Sequence, residues 1–228
     1  MVGSGDMKRA LRYSLAVVGL LAVLAFLRQR RRPMMHPPRL TFLLENSLVN
    51  GFVGPERLIQ RLDLTPGMRV LDAGCGPGRL TTPLARAVGP AGEVVALDGQ
   101  HEMLQKLEKR LEAGGIRNVR SVRAVLGEGE LNEGGFDRIL LAMVFGETRD
   151  RRAAARELYA ALEPGGVLSV TEIFGDPDHR RPGKVRREVE AAGFRLARRF
   201  GGFPAFTLNF EKPRALTAEQ PSPETLAL

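Results

Sequence analysis

The hydrophobic pattern of this chain changes period several times along its length. Two short segments, at residues 70–73 and 94–97, are apolar except for Asp72 and predict buried strands. Near the C-terminus, apolar and polar side chains alternate at residues 194–200 and again at 206–210, on either side of a glycine pair. Period-two alternation around such a turn predicts an antiparallel hairpin. The first strand runs into a glycine-rich turn and then a helix, which indicates an α/β arrangement with a ligand site at the strand end.

The glycine-rich turn has the spacing G-x-G-x-G, with glycines at positions 74, 76 and 78. Dinucleotide sites use G-x-G-x-x-G and present backbone N–H groups to a pyrophosphate. Pro77 interrupts this turn and has no N–H group to donate. The turn therefore suits an uncharged linker such as the methionine-to-ribose part of S-adenosylmethionine, with Asp72 placed to attract a cationic amino group. A simple tight turn and a dinucleotide loop are the alternatives for the glycines taken alone.

With these residues, VLDAGCGPGRL at 70–80, the chain resembles the class I S-adenosylmethionine-dependent methyltransferases over residues 55–212. The resemblance implies a Rossmann-like, seven-stranded sheet flanked by helices, parallel except for an antiparallel C-terminal hairpin. Residues 136–144 then look like the fourth strand, and 162–170 like the LEPGG turn and the fifth strand, with Pro164 ending a helix that begins near Asp150. The resemblance also implies that S-adenosyl-L-methionine is the cofactor. The cofactor-binding residues predicted on this basis are Asp72, Gly74, Cys75, Gly76, Gly78, Asp98, Gly99, Met103, Val125, Leu126 and Met143.

Individual roles follow from the same resemblance. Asp98 matches the family's acid for both ribose hydroxyls, because a carboxylate accepts two hydrogen bonds side by side. Met103 is expected to make an apolar contact with adenine. Many relatives have Gly-Asp after the third strand, where this chain has Ala124 and Val125. We therefore expect adenine to be held by apolar packing and backbone groups near Val125 and Leu126, with Glu128 as a weaker candidate.

Cysteine and histidine chemistry is sparse in this chain. The single cysteine, Cys75, excludes an intrachain disulfide and a cysteine-based metal cluster, and the three histidines are far apart. Cys75 has no evident base beside it, so we interpret it as a packing residue rather than a nucleophile. No metal site is predicted. The candidates for a catalytic base are Glu147, Glu172 and His179, which lie after the fourth and fifth strands, and none is preferred.

Positive charge is concentrated in the first 40 residues. The net charge is +8, and residues 1–40 hold eight basic residues and one acid, whereas the other 188 hold 26 basic and 25 acidic groups. This distribution argues against nucleic acid as the partner. A second basic cluster lies at Arg180, Arg181, Lys184, Arg186, Arg187, Arg195, Arg198 and Arg199. The cluster is interpreted as a solvated surface or as a contact with anionic lipid headgroups. Nucleic acid is a weaker alternative, because exposed aromatic residues are not interleaved with these charges.

An uninterrupted apolar run at residues 15–27 predicts a membrane anchor. It has 13 residues flanked by arginines, and residues 10–14 lengthen it to 18, close to the about 20 that a span needs. Arg28, Arg30, Arg31 and Arg32 follow it, which is typical of a stop-transfer segment near anionic lipids. A cleaved signal peptide, or a start at Met34 or Met35, is the alternative. We expect the catalytic domain on the cytoplasmic side.

Four segments are predicted along the chain. Residues 1–33 form the anchor helix, 34–54 a linker and lid helix, 55–213 the methyltransferase domain, and 214–228 a disordered tail. The lid segment carries an apolar face that could equally pack against the sheet. With residues 144–147 and 172–179, it is expected to line the acceptor site.

The function predicted from sequence is a membrane-associated, S-adenosylmethionine-dependent methyltransferase acting on a small or lipophilic acceptor. Among relatives, the chain looks most similar to the quinone-biosynthesis methyltransferases and the bacterial phospholipid N-methyltransferases, so a quinone precursor or a phospholipid-like acceptor is expected. The alternative is a membrane-tethered cofactor-binding or scaffold protein without catalysis. A nicotinamide-dependent oxidoreductase is disfavoured by Pro77 and by the terminal hairpin.

Overall fold

A computed structural model describes residues 53–174 and 179–214 of the chain. Seven strands and five helices follow one another in these residues. In chain order they are α1 (Pro55–Leu62), β1 (Arg69–Ala73), α2 (Thr81–Val88), β2 (Glu93–Asp98), α3 (His101–Ala113), β3 (Val119–Arg123), β4 (Phe136–Ala142), α4 (Arg151–Ala161), β5 (Leu162–Ile173), α5 (Pro182–Glu190), β6 (Arg195–Gly201) and β7 (Ala205–Glu211).

The strands form one mixed sheet in the order β3-β2-β1-β4-β5-β7-β6. The first five strands pair in parallel, and β7 pairs antiparallel with both β5 and β6. The sheet order changes direction at β1, whose neighbours are β2 and β4. In open α/β sheets a ligand binds beyond the carboxyl ends of the strands at such a point. The predicted seven-stranded sheet and its C-terminal hairpin are confirmed.

Alternating side chains of the parallel strands feed two cores on opposite faces of the sheet. Val70, Val94 and Leu140 pack with α1 and α2, whereas Leu71, Val95 and Ile139 pack with α4 and α5. All six side chains are fully buried. This two-sided burial explains why the strand sequences are nearly continuous apolar runs.

The helix before the fifth strand begins as predicted, because the Asp150 side chain caps it by accepting a hydrogen bond from the Ala153 N–H at 2.9 Å. The prediction of a turn at LEPGG was only partly right, since these residues already belong to β5. Gly165 N–H donates to the Lys212 carbonyl at 2.7 Å, and Lys212 N–H returns a bond to Gly166 at 3.0 Å. Pairing with the chain after β7 thus extends the strand back to the end of α4.

Three predictions fall outside the described residues: the anchor helix at 1–33, almost all of the lid segment at 34–54, and the tail at 214–228 apart from its first residue. Residues 53–174 and 179–214 include no helix that combines the length and apolar content required to span a bilayer.

Candidate functional site

The glycine turn after β1 is tied to the end of β2. The N–H groups of Gly74 and Cys75 both donate to the Leu97 carbonyl, at 2.7 and 2.9 Å. Gly74 has a φ of +78°, and a Cβ added there would lie 2.3 Å from a γ carbon of Val144, just after β4. This glycine is therefore required both by its backbone conformation and by the close approach of the Val144 side chain.

The other two glycines of the turn have different surroundings. Gly78, with φ of +84°, lets the turn pack on α3, because an added Cβ would lie 2.4 Å from Leu107 Cδ1. Gly76 has a φ of +53°, and an added Cβ would meet no atom within 4 Å. Gly76 therefore borders open space, and the backbone there can approach a ligand closely.

Asp98 ends β2 beside this open space, and both of its carboxylate oxygens accept backbone hydrogen bonds. Gly76 N–H donates to Oδ2 at 2.9 Å and Gln100 N–H donates to Oδ1 at 2.8 Å. The side chain is only 8% exposed. Burial raises the pKa of Asp98, and the two backbone hydrogen bonds partly offset that rise. Each oxygen keeps a second acceptor site, so the fixed carboxylate can receive two adjacent hydroxyl groups.

Asp72 lies beneath the turn and is 2% exposed. Its Oδ2 accepts a hydrogen bond of 2.6 Å from the hydroxyl of Thr81, at the start of α2. Burial raises the pKa of Asp72 to about 6, against the opposing effects of the Thr81 hydroxyl and of the Arg79 charge. A buried carboxylate of this kind is stabilised in its charged form by a nearby cation.

Cys75 is a packing residue in this structure. It is buried with Leu104, Leu107 and Leu111 of α3. Burial raises the pKa of the thiol, and the charges of Asp72 and Asp98 raise it further. The thiol therefore stays protonated at neutral pH and is a poor nucleophile.

The predicted adenine residues are distributed around the end of β3 and the start of α3. Met103 is buried in the first turn of α3, and Gly99 lies between it and Asp98. Val125 is half-buried, and its N–H donates to Glu130 Oε2 at 2.8 Å. The Leu126 side chain packs into the core on the α4 face, so only backbone atoms of Leu126 can serve a ligand.

One residue that organises this region was missed by sequence reasoning. Glu157, on α4, accepts hydrogen bonds from Gly127 N–H at 2.8 Å and from Gly129 N–H. A single carboxylate thus holds the loop after β3. Glu157 follows that loop by about thirty positions, and no local motif marks it, so only the tertiary structure reveals the contact.

Met143 stands at the end of β4 with a φ of +62°, an unusual conformation for a residue with a side chain. Its N–H donates to the Thr171 carbonyl at 2.8 Å, and its side chain is buried in the α1 and α2 core. Met143 directly follows β4, so this conformation lies where the strand ends and the loop at the carboxyl end of the sheet begins. Strained backbone of this kind clusters at ligand sites.

The three candidate bases lie on the β4–β5 side of the site. Glu172 is 1% exposed, and its carboxylate accepts from Gly146 N–H at 3.2 Å and from Arg180 N–H at 3.4 Å. His179 is half-buried between the rings of Phe174 and Phe206, each with its centroid 6.0 Å away. Glu147 is half-buried and follows Gly146 directly. The structure therefore brings all three to one region. Among the described residues, no group of His, Cys, Asp or Glu side chains is arranged to hold a metal ion.

Comparison with known proteins identifies this arrangement. A family model described as a methyltransferase domain matches residues 70–166, which include the glycine turn, Asp98 and β4. Residues 70–166 therefore match a methyltransferase domain. The crystal structure of a SAM dependent methyltransferase from Aquifex aeolicus has the same fold, with a TM-score of 0.72 at 24% identity over 78% of this chain and 100% of that one.

Two curated relatives each align with more than half of this chain. The ubiquinone/menaquinone biosynthesis C-methyltransferase UbiE of Vibrio parahaemolyticus is 32% identical over 174 residues, which cover 74% of this chain and 65% of that protein. An uncharacterized 37.1 kDa protein in transposon TN4556 of Streptomyces fradiae is 34% identical over 124 residues, 53% of this chain. The chain spans only 33% of the Streptomyces protein and 65% of the Vibrio protein.

The geometry of the domain fits S-adenosylmethionine, the cofactor of this family. The open space at Gly76 accommodates a ligand against the backbone, and Asp98 offers paired acceptors for the two ribose hydroxyls. Asp72 supplies buried negative charge near the same turn, as the cationic amino group requires. These three residues come together as the sequence predicted, and their contacts with the cofactor remain predictions.

Proposed function

We propose that this protein transfers the methyl group of S-adenosylmethionine to a ring carbon of a lipophilic quinone precursor. The observation that carries the proposal is the 32% identity to the Vibrio quinone-biosynthesis C-methyltransferase across 74% of this chain. The exposed aromatic side chains Phe174 and Phe203, beside the end of β5, support an apolar acceptor. Phospholipid-like acceptors are the competing outcome of the test.

The chemistry divides between the cofactor and the chain. When bound, S-adenosylmethionine supplies a methyl group that its sulfonium already activates. The chain then has to align donor and acceptor and to exclude water, and such positioning accounts for much of the rate in two-substrate reactions. Gly76 and Asp98 lie on the donor side, and the loop after β4 and the end of β5 border the acceptor side.

Carbon methylation of a hydroquinone also requires removal of a proton from the acceptor. Glu147, Glu172 and His179 lie on the acceptor side and are the groups to compare. The Glu172→Gln and His179→Gln variants test two of these residues. Loss of the catalytic base should lower kcat and leave the affinity for S-adenosylmethionine unchanged.

Transfer is tested by incubating the full-length protein with methyl-labelled S-adenosylmethionine and membranes. Extracted lipids are then separated and analysed by mass spectrometry. We expect label in the neutral quinone fraction, and we expect the Asp98→Ala variant to abolish it. Label confined to phospholipid or to protein would contradict the quinone assignment, and cofactor binding without any transfer would favour the non-catalytic scaffold function.

We further propose that residues 1–33 attach the protein to a membrane, with the methyltransferase domain on the cytoplasmic side. The 13-residue apolar run between arginines supports this, as does the cytosolic origin of the cofactor. Full-length protein should sediment with membranes and be released by detergent. A variant with Leu20→Glu and Leu24→Glu should become soluble. Wild-type protein found in the soluble fraction without detergent would contradict the anchor.

A further inference from the structure

An open cavity of about 550 Å³ lies at the start of α5, next to the acceptor side of the methyltransferase domain. Its lining consists of His179, Arg180, Arg181, Gly183, Lys184 and Arg187. Four of these six residues are cationic at neutral pH. Among the described residues, no acidic side chain lines the cavity. Its electrostatic character is therefore strongly positive.

The acids of α5 do not neutralise this charge, because they pair with other residues. Glu188 Oε2 lies 3.1 Å from Arg151 Nε on α4, and Glu190 pairs with Arg186 at 2.9 Å. No salt bridge joins Arg181, Lys184 or Arg187 to an acid within the described part of the chain. Residues 179–187 contain five lysines and arginines and no acid, and counting Asp176 and Asp178 outside the described residues still leaves a net +3.

Two donors at the cavity have unmet hydrogen-bonding capacity. Arg180 Nε is fully buried and has no hydrogen-bond partner within residues 53–174 and 179–214. Leaving a buried donor unpaired is unfavourable, and more so when the group is charged. At the start of α5 the Arg181 side chain makes no capping bond and Pro182 has no N–H, so the Gly183 N–H has no partner inside the helix. An added Cβ on Gly183 would meet no atom within 4 Å.

Guanidinium groups, an ammonium group and a helix N-terminus with a free N–H are the donors that bind phosphate. An apolar rim adjoins them, because the Phe174 ring lies 6.0 Å from His179 and 5.1 Å from Phe203, centroid to centroid. Phe174 is 61% exposed and Phe203 is 83% exposed. A cationic cavity beside exposed aromatic rings matches a ligand that has both a phosphate group and an apolar part.

We propose that this cavity is a phosphate-binding site beside the acceptor, formed by Arg180, Arg181, Lys184 and Arg187 around the Gly183 N–H. The phosphate belongs either to a lipid headgroup or to a soluble phosphorylated molecule. The position is informative because Arg180 N–H also donates to Glu172, on the acceptor side. The link to the acceptor rests on the proposed function, whereas the binding itself is measured without methyl transfer.

The first experiment titrates the full-length protein with pyrophosphate by calorimetry. We expect saturable binding, which Lys184→Gln combined with Arg187→Gln weakens about tenfold or more, since each lost charge-assisted bond contributes substantially. Arg195→Gln combined with Arg199→Gln is the control, because it removes the same charge from β6, within the same sequence cluster but outside the cavity. Arg187→Lys should retain most of the affinity, and unfolding midpoints establish that all variants fold.

The second experiment identifies the source of the phosphate with vesicles. Protein is sedimented with phosphatidylcholine vesicles and with vesicles that also contain phosphatidic acid. Retention by phosphatidic acid that depends on Lys184 and Arg187 assigns the site to a lipid headgroup. If pyrophosphate binds but retention by phosphatidic acid vesicles does not depend on Lys184 and Arg187, the site is assigned to a soluble phosphate. Equal loss of binding in the cavity and β6 variants, or no binding of either probe, overturns the proposal.

Discussion

Gly76 and Asp98 share a hydrogen bond of 2.9 Å that joins the turn after β1 to the end of β2. The bond fixes the carboxylate before any ligand arrives, so little side-chain entropy remains to be lost on binding. Gly76 also leaves free the space that a side chain would occupy. The two residues thus combine a pre-oriented acceptor with room for the group it accepts.

Gly76→Ala should reduce cofactor binding more than it reduces stability. The φ of +53° costs about 1 kcal/mol for a residue with a Cβ, and the methyl group enters the space assigned to the cofactor. Gly115→Ala is the matched control, since Gly115 has a φ of +63°, open space around its Cβ, and a position just after α3, outside the site. Urea unfolding should show similar losses for both variants, and calorimetry should show weakened S-adenosylmethionine binding for Gly76→Ala alone. If Gly76→Ala and its control bound S-adenosylmethionine with equal affinity, the space at Gly76 would not be the cofactor site.

Asp72 should make the stability of the cofactor-free protein depend on pH. Its folded-state pKa of about 6 exceeds the ordinary 3.8, so the native state binds a proton more tightly than the unfolded chain. The stabilisation is complete below pH 3.8 and is lost as the pH rises through about 6, a change of about 3 kcal/mol. Asp72→Asn removes this dependence. Urea unfolding of the wild-type and Asp72→Asn proteins between about pH 4 and pH 7 measures this dependence. If their free energies of unfolding differed by the same amount at every pH, Asp72 would not be buried in its charged form.

The loop between β3 and β4 depends on an element that lies far from it in sequence. Glu157 reaches it from α4 and accepts from the N–H groups of Gly127 and Gly129. Gly127 also packs closely on this helix, since an added Cβ would lie 2.6 Å from the Asp150 carbonyl oxygen. The docking of α4 therefore sets the position of the loop that is predicted to contact adenine.

Glu157→Ala should loosen this loop selectively. Without the carboxylate, we expect the amides of Gly127 and Gly129 to exchange with solvent about tenfold faster or more, because each loses a charge-assisted bond. Affinity for S-adenosylmethionine should fall with it. Glu163→Ala is the control, because Glu163 is an exposed acid on the adjoining strand β5. Hydrogen exchange measured by mass spectrometry gives the exchange rates of these amides. Unchanged protection of the two amides in Glu157→Ala would show that Glu157 does not hold the loop.

Part of the sheet could be predicted from local signals. Apolar segments predicted β1 and β2, alternation predicted the β6–β7 hairpin, and the glycine spacing with Pro77 predicted the ligand turn. The seven-stranded architecture, with β4 and β5, was predicted from the family resemblance instead. Contacts between residues that are distant in sequence could not be predicted. Val144 against Gly74 and Glu157 against Gly127 depend on how separate elements pack, and no residue pattern near either member reveals the other.

The basic cluster shows the same limit. Its charges were evident from the sequence, yet Lys184 and Arg187 line the cavity at the start of α5 whereas Arg195 and Arg199 lie on β6. Sequence proximity alone could not separate the two groups, because the turn between α5 and β6 determines which side chains face which surface.

The central claim, that Asp72, Gly76 and Asp98 form an S-adenosylmethionine site, is tested most directly by calorimetry on Asp98→Ala. Removing the carboxylate deletes both predicted ribose contacts, so the affinity for S-adenosylmethionine should fall about a hundredfold or more. Glu163→Ala removes the same charge from an exposed position and should leave the affinity unchanged. Wild-type affinity in a folded Asp98→Ala protein would contradict the site.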